Sequence, residues 1–247
     1  MTARKSPRRK ADPAPPPEPE PIPRLPVLHL LRRWLLTGLG WLAVVLVLLV
    51  LFFGLVNPPT TPYMLRESVR LGSVQHDWAD WDEIAPVMAR SVVAAEDANF
   101  CLHWGFDMKA IRSAIDAGGG RGASTISQQV VKNVYLWQGR SWPRKALEAV
   151  ITPMVELVWT KRRILEVYLN IAEFDEGVFG IHAAADHYFG VEPSKLTALQ
   201  AARLAAVLPD PKVRSASNPG PVVRRRSAAI LDGANTIRAD GRAACFE

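Results

Sequence analysis

Apolar and polar positions divide the chain into three regimes. The first 26 residues hold few apolar side chains between prolines and charges, as in KSPRRKADPAPPPEPEPIPR. Such a stretch cannot bury a core and is expected to be disordered or extended. Trp34–Val56 (WLLTGLGWLAVVLVLLVLFFGLV) then runs without a charge. About 20 apolar residues cross a bilayer as a helix, so this segment suffices. It exceeds the apolar core of a cleaved signal peptide, and no A-x-A site follows it, so it reads as an uncleaved anchor. From Trp81 onward apolar residues recur mainly at helical spacing, and few segments alternate as strands do.

That spacing predicts helices over Ile84–Glu96, Met108–Ala117, Ile126–Leu136, Pro143–Trp159, Lys161–Asn170, Ser194–Leu208 and Val222–Arg238. Ser124 or Thr125 can cap the third, Thr160 the fifth, and Pro143 suits a first turn. Pro153 should kink the helix that contains it. Gly118–Gly120 makes a flexible break, and Pro209 and Pro211 stop the Ala/Leu-rich helix before them. The expected organisation is a basic, Pro-rich tail over 1–33, an anchor over 34–56, a linker over 57–73 that begins NPPTTP, and a mainly α domain over 74–247. There is no internal repeat.

Charge adds direction. The chain has 247 residues, 49% hydrophobic, with a formal net charge of +6. Arg4, Lys5, Arg8, Arg9, Lys10, Arg24, Arg32 and Arg33 all precede the anchor. The positive-inside rule therefore puts the N-terminus in the cytoplasm and the residues after Val56 outside. A basic balance favours an anionic partner such as a lipid surface, a phosphorylated substrate or nucleic acid. Cys101 and Cys245 match no metal spacing; the reading taken is two unlinked thiols, with a disulfide as the alternative. His182 and His187 are five apart and do not share a helix face as ligands would.

Three constellations could carry chemistry. In EDANFCLHWGFD, Glu96 and Asp97 follow an apolar helix face, beside Phe100, His103 and Asp107. A carboxylate set against Val92, Val93 and Phe100 is desolvated, which suits a general base or acid; a solvated helix end is the plain alternative. GASTISQQVVKN gathers Ser124, Thr125, Gln128, Gln129, Lys132 and Asn133 at a helix start without an acid. Such an end favours an anion, and Gln128/Lys132 and Gln129/Asn133 each lie four apart on one face. An ordinary capped polar helix is the alternative. Arg144, Lys145 and Glu148 share a face, either as a salt bridge or as a cationic clamp with a second carboxylate. No GxxxxGK[ST], CxxC or HExxH pattern occurs. Six Trp follow the anchor (Trp78, Trp81, Trp104, Trp137, Trp142 and Trp159), as core or as residues at a lipid interface.

These segments resemble the glycosyltransferase domain of peptidoglycan synthases, most closely the monofunctional biosynthetic peptidoglycan transglycosylases. EDANFCLHWGFD resembles that family's first motif, GASTISQQVVKN its second, RKALE its third and KRRILEVYLNIAEF its fourth. GVFGIHAAADHYFG and LTALQAARLAAVLPDP continue in register, so the likeness covers roughly Val74 to Asn218. It implies a mainly α, lysozyme-like domain with a smaller membrane-associated lobe, preceded by one transmembrane helix. The implied substrates are lipid II and the growing glycan strand. The implied place is the bacterial inner membrane, single-pass, with a periplasmic catalytic domain against membrane lipid. It leaves room for cell-wall synthesis or division proteins as partners and gives no role to nucleic acid.

By the same resemblance, Glu96 is the base that deprotonates the acceptor hydroxyl, and Glu148 is a second catalytic glutamate organising the pyrophosphate. Ser124, Thr125, Gln128, Gln129, Lys132, Asn133, Arg144 and Lys145 hold sugar and phosphate groups, while Asp97, Phe100 and His103 shape the site around them. No cofactor is required; a divalent cation, Mg or Mn, is compatible with Glu148. Departures from the family pattern are the short stretch between Asp107 and Gly122, Asp175 and Glu176 in place of Gly and Asp, and His182 in place of Glu. A glycan-cleaving enzyme of the same general fold and an inactive assembly scaffold stand as alternatives. A bifunctional synthase is not expected, since S-x-x-K and K-T-G patterns are missing and about 30 residues follow the last family motif.

Overall fold

The structure is a computed structural model, which describes residues 27–118, 122–139 and 141–247. The tail before residue 27, including its basic residues, and Gly119 and Gly120 lie outside the described residues. In chain order the helices are α1 (Val27–Leu55), α2 (Pro62–Leu71), α3 (Pro86–Glu96), α4 (Met108–Asp116) and α5 (Ile126–Tyr135), then α6 (Trp142–Val158), α7 (Lys161–Ile171), α8 (Ile181–Phe189), α9 (Ala198–Val207) and α10 (Pro221–Ala239). Three short strands, β1 (Gln75–His76), β2 (Glu173–Asp175) and β3 (Val178–Phe179), form one sheet in the order β1-β3-β2. β1 runs parallel to β3, and β2 antiparallel to it. Helix makes up 66% of the described residues, as the spacing predicts.

The described residues divide into two units, one ending at Val44 and the other spanning Val45–Glu247. α1 crosses that boundary. Its stretch His29–Leu55 is long and apolar enough to cross a membrane and is almost entirely exposed. A core helix of a soluble protein would be buried, so that alternative fails. Within the second unit, the end of α1 is held by polar bonds. Trp159 Nε1 donates to the Val50 carbonyl at 2.8 Å. Arg163 donates to the carbonyls of Phe53 and Val56 and to Asn57 Oδ1. Carbonyls in the last turn of a helix have no partner within it, so a guanidinium there answers a need built into the helix itself.

The segment 57–73, expected to be a linker, departs from expectation. Thr61 caps α2, accepting from the Met64 N–H, and Met64 and Glu67 are buried against the domain. Its apolar positions are too few for the periodicity to stand out, and its fixation is largely polar. Glu67 bonds Arg70 and Lys212, while Tyr63 donates to Glu173. The strands were missed because two or three residues cannot display an alternation. α9 begins at Ala198, later than the spacing predicts: Thr197 and Gln200 form a reciprocal cap, and Pro193–Lys195 is a separate 3-10 turn. α6 runs through Pro153 to Val158.

The core lies between these helices. α10 packs on α3 and α9, and α5 on α6 and α7. Phe100, Tyr168, Phe174 and Phe179 are among its largest buried side chains. Cys101 and Cys245 are joined in a disulfide, which corrects the reading as separate thiols. The pairing escapes sequence reasoning because 144 residues separate the two, and only the fold brings α10's trailing segment beside Phe100–Leu102. Phe246 is buried there, 6.4 Å from the Phe100 ring.

Candidate active site

Two helix ends meet at the site, the C-terminus of α3 and the N-terminus of α5. Asp97, just past α3, joins them. Its Oδ2 accepts from the Ile126 N–H at 3.0 Å, and its Oδ1 faces His103 Nε2 at 2.8 Å. An acid at a helix N-terminus satisfies a free donor and meets the favourable end of the dipole. Thr125 completes the same terminus: it accepts from the Gln128 N–H, donates to the Gly105 carbonyl at 2.7 Å, and its own N–H donates to Gln128 Oε1. Gly105 itself is obligatory. Its φ is +85°, and a Cβ would lie 2.7 Å from Thr152 Cγ2.

The junction presents Glu96 to α5. Glu96 is the last residue of α3, where free carbonyls disfavour a negative charge. Gln129 Nε2 donates to its Oε2 at 3.1 Å, and Arg226 of α10 to its Oε1 at 3.3 Å. Burial pushes the Glu96 carboxyl above the ordinary carboxylate range, against the pull of Gln129, Arg226 and Lys132 and with the push of Asp97. The plain alternative of a solvated helix end therefore does not hold. Glu96 lines a cleft of about 190 Å³ with Asn99, Asp107 and the Gly122–Thr125 segment. Gln129, bonded to Glu96, also lines a second, polar cleft of about 280 Å³ with Lys132, Asn133, Tyr63 and Glu173.

Lys132 is half-buried, and burial pulls its ammonium below the usual lysine range. Glu148 and Glu96 favour its charge, and Arg144 and Lys145 oppose it. On α6, capped by Ser141, Glu148 is buried and its two oxygens are shared. Arg144 Nη1 bonds Oε2 at 2.7 Å, and Lys145 Nζ bonds Oε1. Lys145 also reaches Ser124 Oγ at 3.3 Å, linking α6 to the start of α5. Lys145 and the exposed Trp142 line a further cavity of about 290 Å³. The result is one half-buried weak acid, one half-buried cation, and a paired cationic cluster around a second carboxylate.

The structure brings Glu96, Gln129, Lys132, Arg144, Lys145 and Glu148 together. It corrects the role of others. Phe100 is fully buried, with the Lys161 ammonium 4.4 Å from its ring centre, so it touches no substrate. The Gln128 amide oxygen is committed to the cap, and the Thr125 hydroxyl to the cap and to Gly105. Asp97 is committed to His103 and to the Ile126 N–H of α5. These residues shape the site from behind. Asn133 lines the second cleft while accepting from Gln138.

Sequence reasoning missed Glu156, which accepts from Ser127 and Lys161 beneath the α5 terminus. A buried acid eight residues after Glu148 on one helix was the available signal. It also missed Arg226 and Tyr168. Arg226 falls on the buried face of α10, between Val223 and Ile230, and a charge on an apolar stripe would have marked it. A resident metal does not fit these residues. Each Glu148 oxygen already faces a cation, and among the described residues no group of three His, Cys, Asp or Glu could hold a metal ion.

A family model described as Transglycosylase matches residues 65–235. The biosynthetic peptidoglycan transglycosylase of Jannaschia sp. (strain CCS1) is 61% identical over 216 residues, covering 87% of this chain and 90% of the relative. That of Pseudomonas fluorescens (strain SBW25) is 48% identical over 225 residues, covering 87% and 94%. That of Xanthomonas campestris pv. campestris (strain B100) is 48% identical over 220 residues, covering 85% and 89%.

Proposed function

The chain belongs to the transglycosylase family and is a peptidoglycan glycosyltransferase, and from that premise we propose that it polymerises lipid II with Glu96 as the general base. The carboxylate of Glu96 takes the proton of the acceptor's sugar hydroxyl. That oxygen bonds the anomeric carbon of the donor, the growing strand, as the bond to its pyrophosphate breaks. Attack opposite the leaving group inverts the anomeric centre from α to β. The electron pair leaves on the polyprenyl pyrophosphate, whose charge Lys132, Arg144 and Lys145 neutralise. Glu148 holds Arg144 and Lys145 in place for that task.

The single observation that carries this reading is the half-buried Glu96, weakened as an acid and held by donors from two helices, in the field of the half-buried Lys132. A base near neutral pH needs a raised carboxyl, and a departing diphosphate needs fixed cations in a site of low polarity. Strand cleavage has no pyrophosphate to hold, so the cationic cluster disfavours a hydrolase.

The placement follows the substrate. α1 is read as a single membrane span with the catalytic unit outside the cytoplasm. The Cys101–Cys245 disulfide supports this independently of charge, because disulfides persist in oxidising compartments such as the periplasm. Exposed Leu102, Trp104 and Met108 line an apolar cavity of about 530 Å³ and are read as resting against lipid. Purified protein given lipid II is expected to form glycan strands, and Glu96→Gln to lose roughly 100- to 10,000-fold in rate while remaining folded. Equal rates for the two would remove Glu96 from the mechanism.

A further inference from the structure

We propose that Arg226 is a positioning residue for Glu96, orienting its carboxylate from α10 and setting the pH at which it becomes a base. The inference rests on Glu96 being the base and adds a residue outside every motif the sequence displays.

The geometry is specific to the end of α3. Arg226 Nη2 donates to the Ala95 carbonyl at 3.2 Å and to Glu96 Oε1 at 3.3 Å. The Ala95 carbonyl is one of the last four of α3 and has no partner within the helix. One guanidinium therefore satisfies the helix end and pairs with its final side chain, where a cation is favoured by the dipole as well. The other carboxylate oxygen is held from α5 by Gln129, whose amide oxygen faces the Tyr168 hydroxyl of α7 at 3.4 Å. Each oxygen of Glu96 thus has a donor from a different helix, which fixes the plane of the carboxylate. α10 can approach this closely because Gly233 faces α3: a Cβ there would lie 3.2 Å from the Ala94 Cβ.

The charge argument singles out the same residue. The titratable groups facing Glu96 are Asp97 from α3's end, Lys132 from α5, Tyr168 from α7 and Arg226 from α10. Asp97 is committed to the Ile126 N–H and His103. Lys132 also faces Glu148 and stands with the cations assigned to the leaving group. Arg226 is the cation that hydrogen-bonds Glu96 among the described residues, and its charge favours the ionised form. Its side chain is 36% exposed, so solvent screens part of this effect.

The test is the pH dependence of lipid II polymerisation by the full-length protein, with wild type, R226M, R226K and E96Q compared. In R226M the acidic limb of kcat is expected to move to higher pH by roughly half a unit to one unit. KM should stay within about twofold, the rate should recover at alkaline pH, and R226K should restore most of the shift. A wild-type limb, a loss uniform across pH, or a rise confined to KM would overturn the proposal. Should R226M not fold, R226Q reads the same limb. If E96Q polymerises lipid II at the wild-type rate, the base reading falls and this inference with it. If E96Q is inactive while R226M keeps the wild-type limb, the role of Arg226 alone is lost.

Discussion

At the residue scale, the site holds groups that stability alone would not select. Ionising Glu96 is harder in the folded chain than in the unfolded one, because burial raises its pKa. Its favourable contribution is therefore present at acid pH, below the ordinary carboxylate range, and is lost as pH rises through the folded value. Glu96→Gln removes that loss and keeps an oxygen for Gln129. The variant is expected to melt above wild type at neutral pH, with the gap closing toward acid pH. Thermal unfolding at several pH values checks this, and a variant less stable at neutral pH would contradict it. Activity and stability then oppose each other at one position, as expected where a strained group does chemistry. Glu96 was legible in sequence because acids seldom follow an apolar helix face. Phe100 was misplaced because a residue inside a chemical motif is easily taken for a contact, whereas only burial shows that it props the motif from within.

At the element scale, the start of α5 carries the site. Thr125, Gln128, Asp97 and Gly105 converge on it, and Gln129 and Lys132 project from the turn that follows. Thr125→Ala loses the cap and the bond to Gly105, and is expected to cost about 1–2 kcal/mol in urea unfolding. It should also lower polymerisation by displacing Gln129 and Lys132; an unchanged rate would detach the cap from the site. Helices α3 to α7, α9 and α10 were readable because each has caps or an apolar stripe long enough to repeat. α2 was not, since its hold on the domain runs through Tyr63, Glu67 and Arg70 to residues more than a hundred positions away. The same holds for Arg163, whose partners on α1 no local pattern announces.

At the scale of the whole molecule, one covalent bond and one apolar helix frame the catalytic unit. The Cys101–Cys245 disulfide fastens the segment after α10 to the loop after Glu96, with Phe246 filling the space against Phe100. Replacing both cysteines with serine is expected to cost about 2–5 kcal/mol. Thermal unfolding under oxidising and reducing conditions reads this, and a wild type indifferent to reductant would contradict it. The anchor was legible from length and lack of charge, whereas the pairing of the cysteines required the fold. All of these features converge on Glu96 as the base of a glycosyl transfer. The most direct measurement is the product formed from lipid II by wild type and Glu96→Gln, both shown to be folded. The account predicts glycan strands and released polyprenyl pyrophosphate from the wild type, and both formed roughly 100- to 10,000-fold more slowly by the variant. Strands formed equally by both, or cleavage of added glycan in place of growth, would contradict it.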